Sequence, residues 1–140
     1  MGTITALTND GTISASGIPP VMFSAGVFNG GLITTLTNNQ SGVITDGQVG
    51  IANLMGGAIT TLINKGTVQG SDIGIYNLDA DIETLTNNGT IEGGMAGVFN
   101  MGIQAIHTLN NNGLIHGVGT GILNTSGGCL LYTSPSPRDL

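Results

Sequence analysis

Apolar and Asn positions recur along this chain in two short units that repeat almost to its end. The first is Ile-x-x-Leu-x-Asn-x-Gly-x-Ile, clearest at 82–91, and the second is Gly-apolar-x-Asn, as in Gly97-Val98-Phe99-Asn100. The second unit starts at Gly26, Gly50, Gly74, Gly97 and Gly121, at spacings of 24, 24, 23 and 24 residues. The first starts at Ile4, Ile33, Ile59, Ile82 and Ile106, at spacings of 29, 26, 23 and 24. A fixed period of this size means a repeat architecture, in which one unit cannot bury its apolar face alone. The two long spacings have local causes. Seven extra residues that include Gly17-Ile18-Pro19-Pro20 predict a surface loop before Gly26, and Gln40-Ser41 reads as an insertion at a turn.

Each period holds three short apolar stretches bounded by Gly or Asn, for example Ile82 to Leu85, Thr90-Ile91 and Val98-Phe99. They are too short and too Gly-bounded for helices, and Thr, Ile and Val favour pleated strands. Three strands per period of 23 or 24 residues predict a triangular coil. Successive coils then pair through parallel ladders about 4.8 Å apart, so five coils rise roughly 24 Å. Stacking sets like on like. Leu7, Leu36, Leu62, Leu85 and Leu109 form one interior column; Ile13, Ile44, Val68, Ile91 and Ile115 a second; Val27, Ile51, Ile75, Val98 and Ile122 a third. Two polar columns, Asn9-Asn38-Asn64-Asn87-Asn111 and Asn29-Asn53-Asn77-Asn100-Asn124, predict Asn ladders at the corners.

Composition narrows the functional classes. The chain has 25 Gly, no Trp, 39% hydrophobic residues and only 7% charged ones, which is neither disordered nor average globular composition. Its net charge is −6 and its cations are Lys65 and Arg138, too few to neutralise a nucleic-acid backbone. No stretch reaches the roughly 18 consecutive apolar residues of a membrane helix. No basic residue precedes Lys65, so no secretory leader is legible. Cys129 is the one cysteine and builds no disulfide framework.

Across 4–124 the two units resemble the repeats of bacterial autotransporter passenger domains. That resemblance implies an all-β, right-handed parallel β-helix of about five coils, uncapped and internal to a longer passenger. It also implies export to the extracellular space or the outer-membrane surface, and an adhesin-like role. The expected partners are surface glycans or proteins met through the parent protein, and further copies met at the exposed coil ends. The β-helix is expected to span residues 1–127. Residues 128–140 read as a non-repeat tail, artefactual or disordered, since 129–140 lacks Asn, carries two of the four prolines and resembles a translated sequencing adapter.

Parallel β-helices also include carbohydrate-active enzymes, so the acids and cations bear on chemistry. Asp79, Asp81 and Glu83 offer carboxylates at a spacing that suits glycoside hydrolysis or an oxygen-ligated calcium ion. They read more simply as a solvated turn, because the acids do not recur from coil to coil. Lys65 is the one cation of the repeats and has no partner set for carbanion stabilisation. His107 follows Glu83, and His116 follows Glu92, by 24 residues each, which predicts stacked surface pairs. Thr-x-Thr pairs of the kind that order water are complete in only two coils, at Thr35/Thr37 and Thr84/Thr86. The expectation is a structural or interaction module with no catalytic, cofactor-binding or metal residues. The alternative is a scaffold segment of a carbohydrate-active enzyme whose active site lies outside it.

Overall fold

The computed structural model describes residues 2–16, 23–125 and 130–133. They form strands and turns and no helix. The first coil supplies β1 (Thr3–Asn9), β2 (Thr12–Ser14) and β3 (Ala25–Asn29). The second supplies β4 (Leu32–Asn38) and β5 (Val43–Leu54), and the third β6 (Ala58–Asn64) and β7 (Thr67–Leu78); β5 and β7 each run around a corner. The fourth holds β8 (Asp81–Asn87), β9 (Thr90–Gly93) and β10 (Ala96–Met101). The fifth holds β11 (Ile106–Asn111), β12 (Leu114–Gly117) and β13 (Thr120–Thr125), and β14 (Leu130–Thr133) follows.

Every pairing is parallel. One wall is a six-stranded sheet in the order β1-β4-β6-β8-β11-β14. The other sheet has eight strands and supplies two walls. The second wall stacks β2, the starts of β5 and β7, β9 and β12; the third stacks β3, the ends of β5 and β7, β10 and β13. The chain is a parallel β-solenoid. About four turns, rather than five, are closed wholly by described residues, because the loop expected at Gly17 to Pro20 lies outside them. The Gln40-Ser41 insertion is a turn, with Ser41 Oγ donating to the Asp10 carbonyl at 2.8 Å.

The interior is the predicted one. Registers set Leu36 on Leu62 on Leu85, Ile44 on Val68 on Ile91, and Ile51 on Ile75 on Val98, all at most 1% exposed. In the first ladder each Asn Nδ2 donates to the Oδ1 of the next Asn, at 2.8 Å from Asn9, 2.9 Å from Asn38 and Asn64, and 2.8 Å from Asn87. In the second, Asn29, Asn53, Asn77 and Asn100 do the same at 2.8, 2.8, 2.8 and 2.7 Å. The glycine two residues past the first ladder is required by close approach. A Cβ on Gly66 would meet the carbonyl of Gly42, and one on Gly89 the carbonyl of Gly66.

The described part of the segment read as a tail joins the first wall. β14 sets Leu130 on Ile106 and Tyr132 on Leu109, with an irregularity between Ile106 and Thr108, and Leu130 packs against the core. Cys129 and Arg138 lie outside the described residues.

Candidate interaction surfaces

The acids singled out in the sequence do not form one group. Asp79 sits at the corner after β7 with φ 47°, in the left-handed region. Its Oδ1 accepts from the Ile103 amide at 3.2 Å. Asp81, at the start of β8, accepts from the Ala105 amide at 3.3 Å. Both carboxylates therefore hold the corner of the next coil. Glu83 turns into a shallow depression of about 390 Å³ on the first wall, which it lines with Asp81, His107, Thr60, Thr84 and Thr108 among others. His107 lies over Glu83 in the register of β11 on β8, as expected, but its Nε2 approaches Asp81 Oδ1, at 3.4 Å, with the His107 and Asp81 side chains 55% and 47% exposed. The Ala105 amide explains the exchange: it draws the Asp81 carboxylate toward the fifth coil, into reach of the imidazole. Among the described residues no three His, Cys, Asp or Glu side chains gather closely enough to hold a metal.

The other predicted positions fall where stacking puts them. His116 pairs with Glu92 in the register of β12 on β9, and both line a depression of about 270 Å³ on the second wall. Lys65 shares an open depression of about 610 Å³ with Asp10, Asn39, Gln40 and Ser41. It interrupts an outer amide column, in which Asn39 donates to Asp10 at 2.7 Å and Asn112 to Asn88 at 2.9 Å. Thr35, Thr61, Thr84 and Thr108 stack, but the column beside them reads Thr37, Ile63, Thr86 and Asn110.

The third wall carries what sequence reasoning missed. In each Gly-apolar-x-Asn unit the x residue stands between an inward apolar side chain and an inward Asn, so it faces out. In successive coils it is Phe28, Ala52, Tyr76, Phe99 and Leu123, aligned by register. Val49, Ala52, Leu54 and Ile73 form a second apolar cluster, separate from the interior, with Tyr76, Leu78 and Phe99 packed against it. The Tyr76 and Phe99 rings stack at 5.2 Å and 27°, and Phe23 meets Phe28 edge-on at 6.2 Å. Tyr76 Oη donates to Met101 Sδ at 3.8 Å. Burial pushes the Tyr76 phenol above its ordinary pKa, and the Asp79 carboxylate adds to the shift. The signal was present in the sequence, since an outward strand position that is apolar in every coil is unlike a solvated sheet face.

Comparison with protein-family models, with curated proteins and with solved structures finds no match in any of the three. Among the described residues no helix is long and apolar enough to cross a membrane.

Proposed function

We propose that this chain is a structural and interaction module, a stiff stalk segment of a secreted or surface-displayed protein of the autotransporter-passenger kind. The observation that carries the reading is the repetition of one set of contacts along one axis. Two Asn ladders run from coil to coil beside three apolar columns, so each coil is both the product and the template of its neighbour. Buried amide chains of this kind resist bending, because tilting one coil breaks several short hydrogen bonds at once. Outward positions are then free to vary, which suits display of adhesive surfaces to glycans or proteins on other cells.

Association of copies through the coil ends belongs to the same reading. Among the described residues β1 pairs with β4 alone and is exposed along most of its length, and open strand edges template further pairing. Sedimentation velocity from low to high micromolar should show growing species, more so at high salt, where repulsion between acidic chains is screened.

The second reading is a scaffold segment of a carbohydrate-active enzyme whose active site lies outside it, since the same solenoid would serve as its frame. Isolating the flanking genomic sequence separates the two. An export signal upstream and a membrane barrel downstream support the stalk. Flanking coils with a groove rich in Asp, Lys and Arg, and no barrel, overturn it.

A further inference from the structure

The third wall is apolar on its outside, and apolar side chains also stand at its borders. Phe28 stands 59% exposed at its lower end, and Met55, Ile103, Met95 and Val118 project into solvent from the corners on either side. Aromatic and Met side chains gathered on one face mark an interaction surface rather than a solvated sheet.

The charges at the borders select the partner. The third coil crosses the wall between Asp72, just before Ile73, and Asp79, just after Leu78, and both carboxylates are exposed. Lys65, the one cation among the described residues, lies at the opposite corner, between the first and second walls. A second copy laid face to face would bring like charges together, and an anionic membrane would be repelled in the same way. An apolar strip flanked by two carboxylates is complemented by a polypeptide that carries apolar side chains and has cations at its flanks.

We infer that the third wall is a docking surface for a protein segment that presents apolar side chains between basic ones. The apolar side chains lie on the Phe28, Tyr76 and Phe99 column, and the basic residues meet Asp72 and Asp79. The inference rests on the interaction-module reading above, but not on secretion or on the identity of the parent protein.

The test uses the full chain and a fluorescein-labelled peptide with alternating Phe and Ser and two lysines at each end, followed by fluorescence anisotropy. Matched peptides replace every lysine by glutamate, or every phenylalanine by serine. The expected result is saturable binding of the first peptide alone. Asp72→Asn with Asp79→Asn should weaken it at least tenfold, and so should Phe28→Ser with Phe99→Ser. Asp10→Asn with Glu92→Gln, an equal change of charge on other faces, should leave it within twofold. The aspartate variants are exposed and nearly isosteric, so they report even where a Phe variant lowers stability. The inference is overturned by absence of binding, by equal loss in the Asp10/Glu92 variant, or by equal binding of the glutamate peptide. Dimerisation abolished by the Phe variants also overturns it, in favour of a second copy. The flanking genomic sequence separates these failures from failure of the stalk reading, which stands or falls on an export signal and a membrane barrel whatever the peptide does.

Discussion

Asn87 donates its side-chain amide to Oδ1 of Asn111, one coil further on, at 2.8 Å. The same Nδ2 donates to the Leu114 and Gly89 carbonyls at 3.0 and 3.2 Å, and its Oδ1 accepts from Asn64 at 2.9 Å and from the Gly89 amide at 3.3 Å. One fully buried carboxamide thus ties three coils and a corner. Asn87→Ala strands several of these groups, each costing about 1–3 kcal/mol when left unsatisfied in the interior. Asn87→Asp is expected to be worse, since an ionised carboxylate cannot donate to Asn111 or Leu114. Asn88→Ala, at an exposed position, should stay within about 0.5 kcal/mol. Urea unfolding followed by circular dichroism compares the three; similar midpoints would remove the ladder from the stability argument.

The inward and outward register predicts a second contrast. Leu85 is fully buried in its column, whereas Glu83 is exposed two residues earlier. Leu85→Asp leaves an unpaired charge in the interior at a cost of several kcal/mol, while Glu83→Lys changes a surface charge for about 0.5 kcal/mol or less. Thermal melts should separate the two variants widely.

The third corner stores backbone strain at a residue that is not glycine. Met55 has φ 54° and is 77% exposed, so its side chain gains little there. A left-handed residue with a Cβ costs roughly 1–2 kcal/mol, partly offset by the greater chain entropy that glycine loses on folding. Met55→Gly should therefore raise the melting temperature by a few degrees. Gly102→Ala should do the reverse, because Gly102 has φ 106° and its added Cβ would run into the Asp79 carboxylate.

Removing residues 130–140 tests whether β14 belongs to the fold. Its Leu130 packs on the core, and its register lays Tyr132 over the Leu109 column. Deletion exposes the upper side of Ile106 and Leu109 to water, and the expected result is a lower melting temperature by several degrees. An unchanged melt would return this segment to the status of a tail.

Tyr76 makes stability depend on alkaline pH. Its folded pKa lies above that of the unfolded chain, so between the two values the folded state holds more protons. The contribution is complete below the unfolded value, near 10, and is lost as pH rises through the folded one. Tyr76→Phe should flatten that part of the profile, and Asp79→Asn should shift its upper limit downward. Denaturant midpoints measured from pH 8 to 12 give the readout.

The sequence by itself determined the periodic part of this protein. In a parallel solenoid the neighbour of a residue is its counterpart one period along. Columns such as Leu36 on Leu62, ladders such as Asn38 on Asn64, and the turn at Gln40-Ser41 therefore follow from counting. Counting cannot reach contacts that depend on side-chain length or on lateral packing between columns. His107 finds Asp81 rather than Glu83 because a backbone amide at Ala105 draws that carboxylate upward. Asp79 leaves the acidic trio because its corner is left-handed and its carboxylate holds the amide of Ile103. β14 is not legible by counting because its four residues carry no Asn, while pairing on β11 needs only a backbone edge, and Leu130 packs against the core. The apolar cluster of the third wall was decided in the same way. Tyr76 and Phe99 stand 23 residues apart in the chain, and only stacking about 4.8 Å apart lets them pack against Ala52, Leu54 and Ile73 as one surface, with Phe28 in the same column two coils below Tyr76.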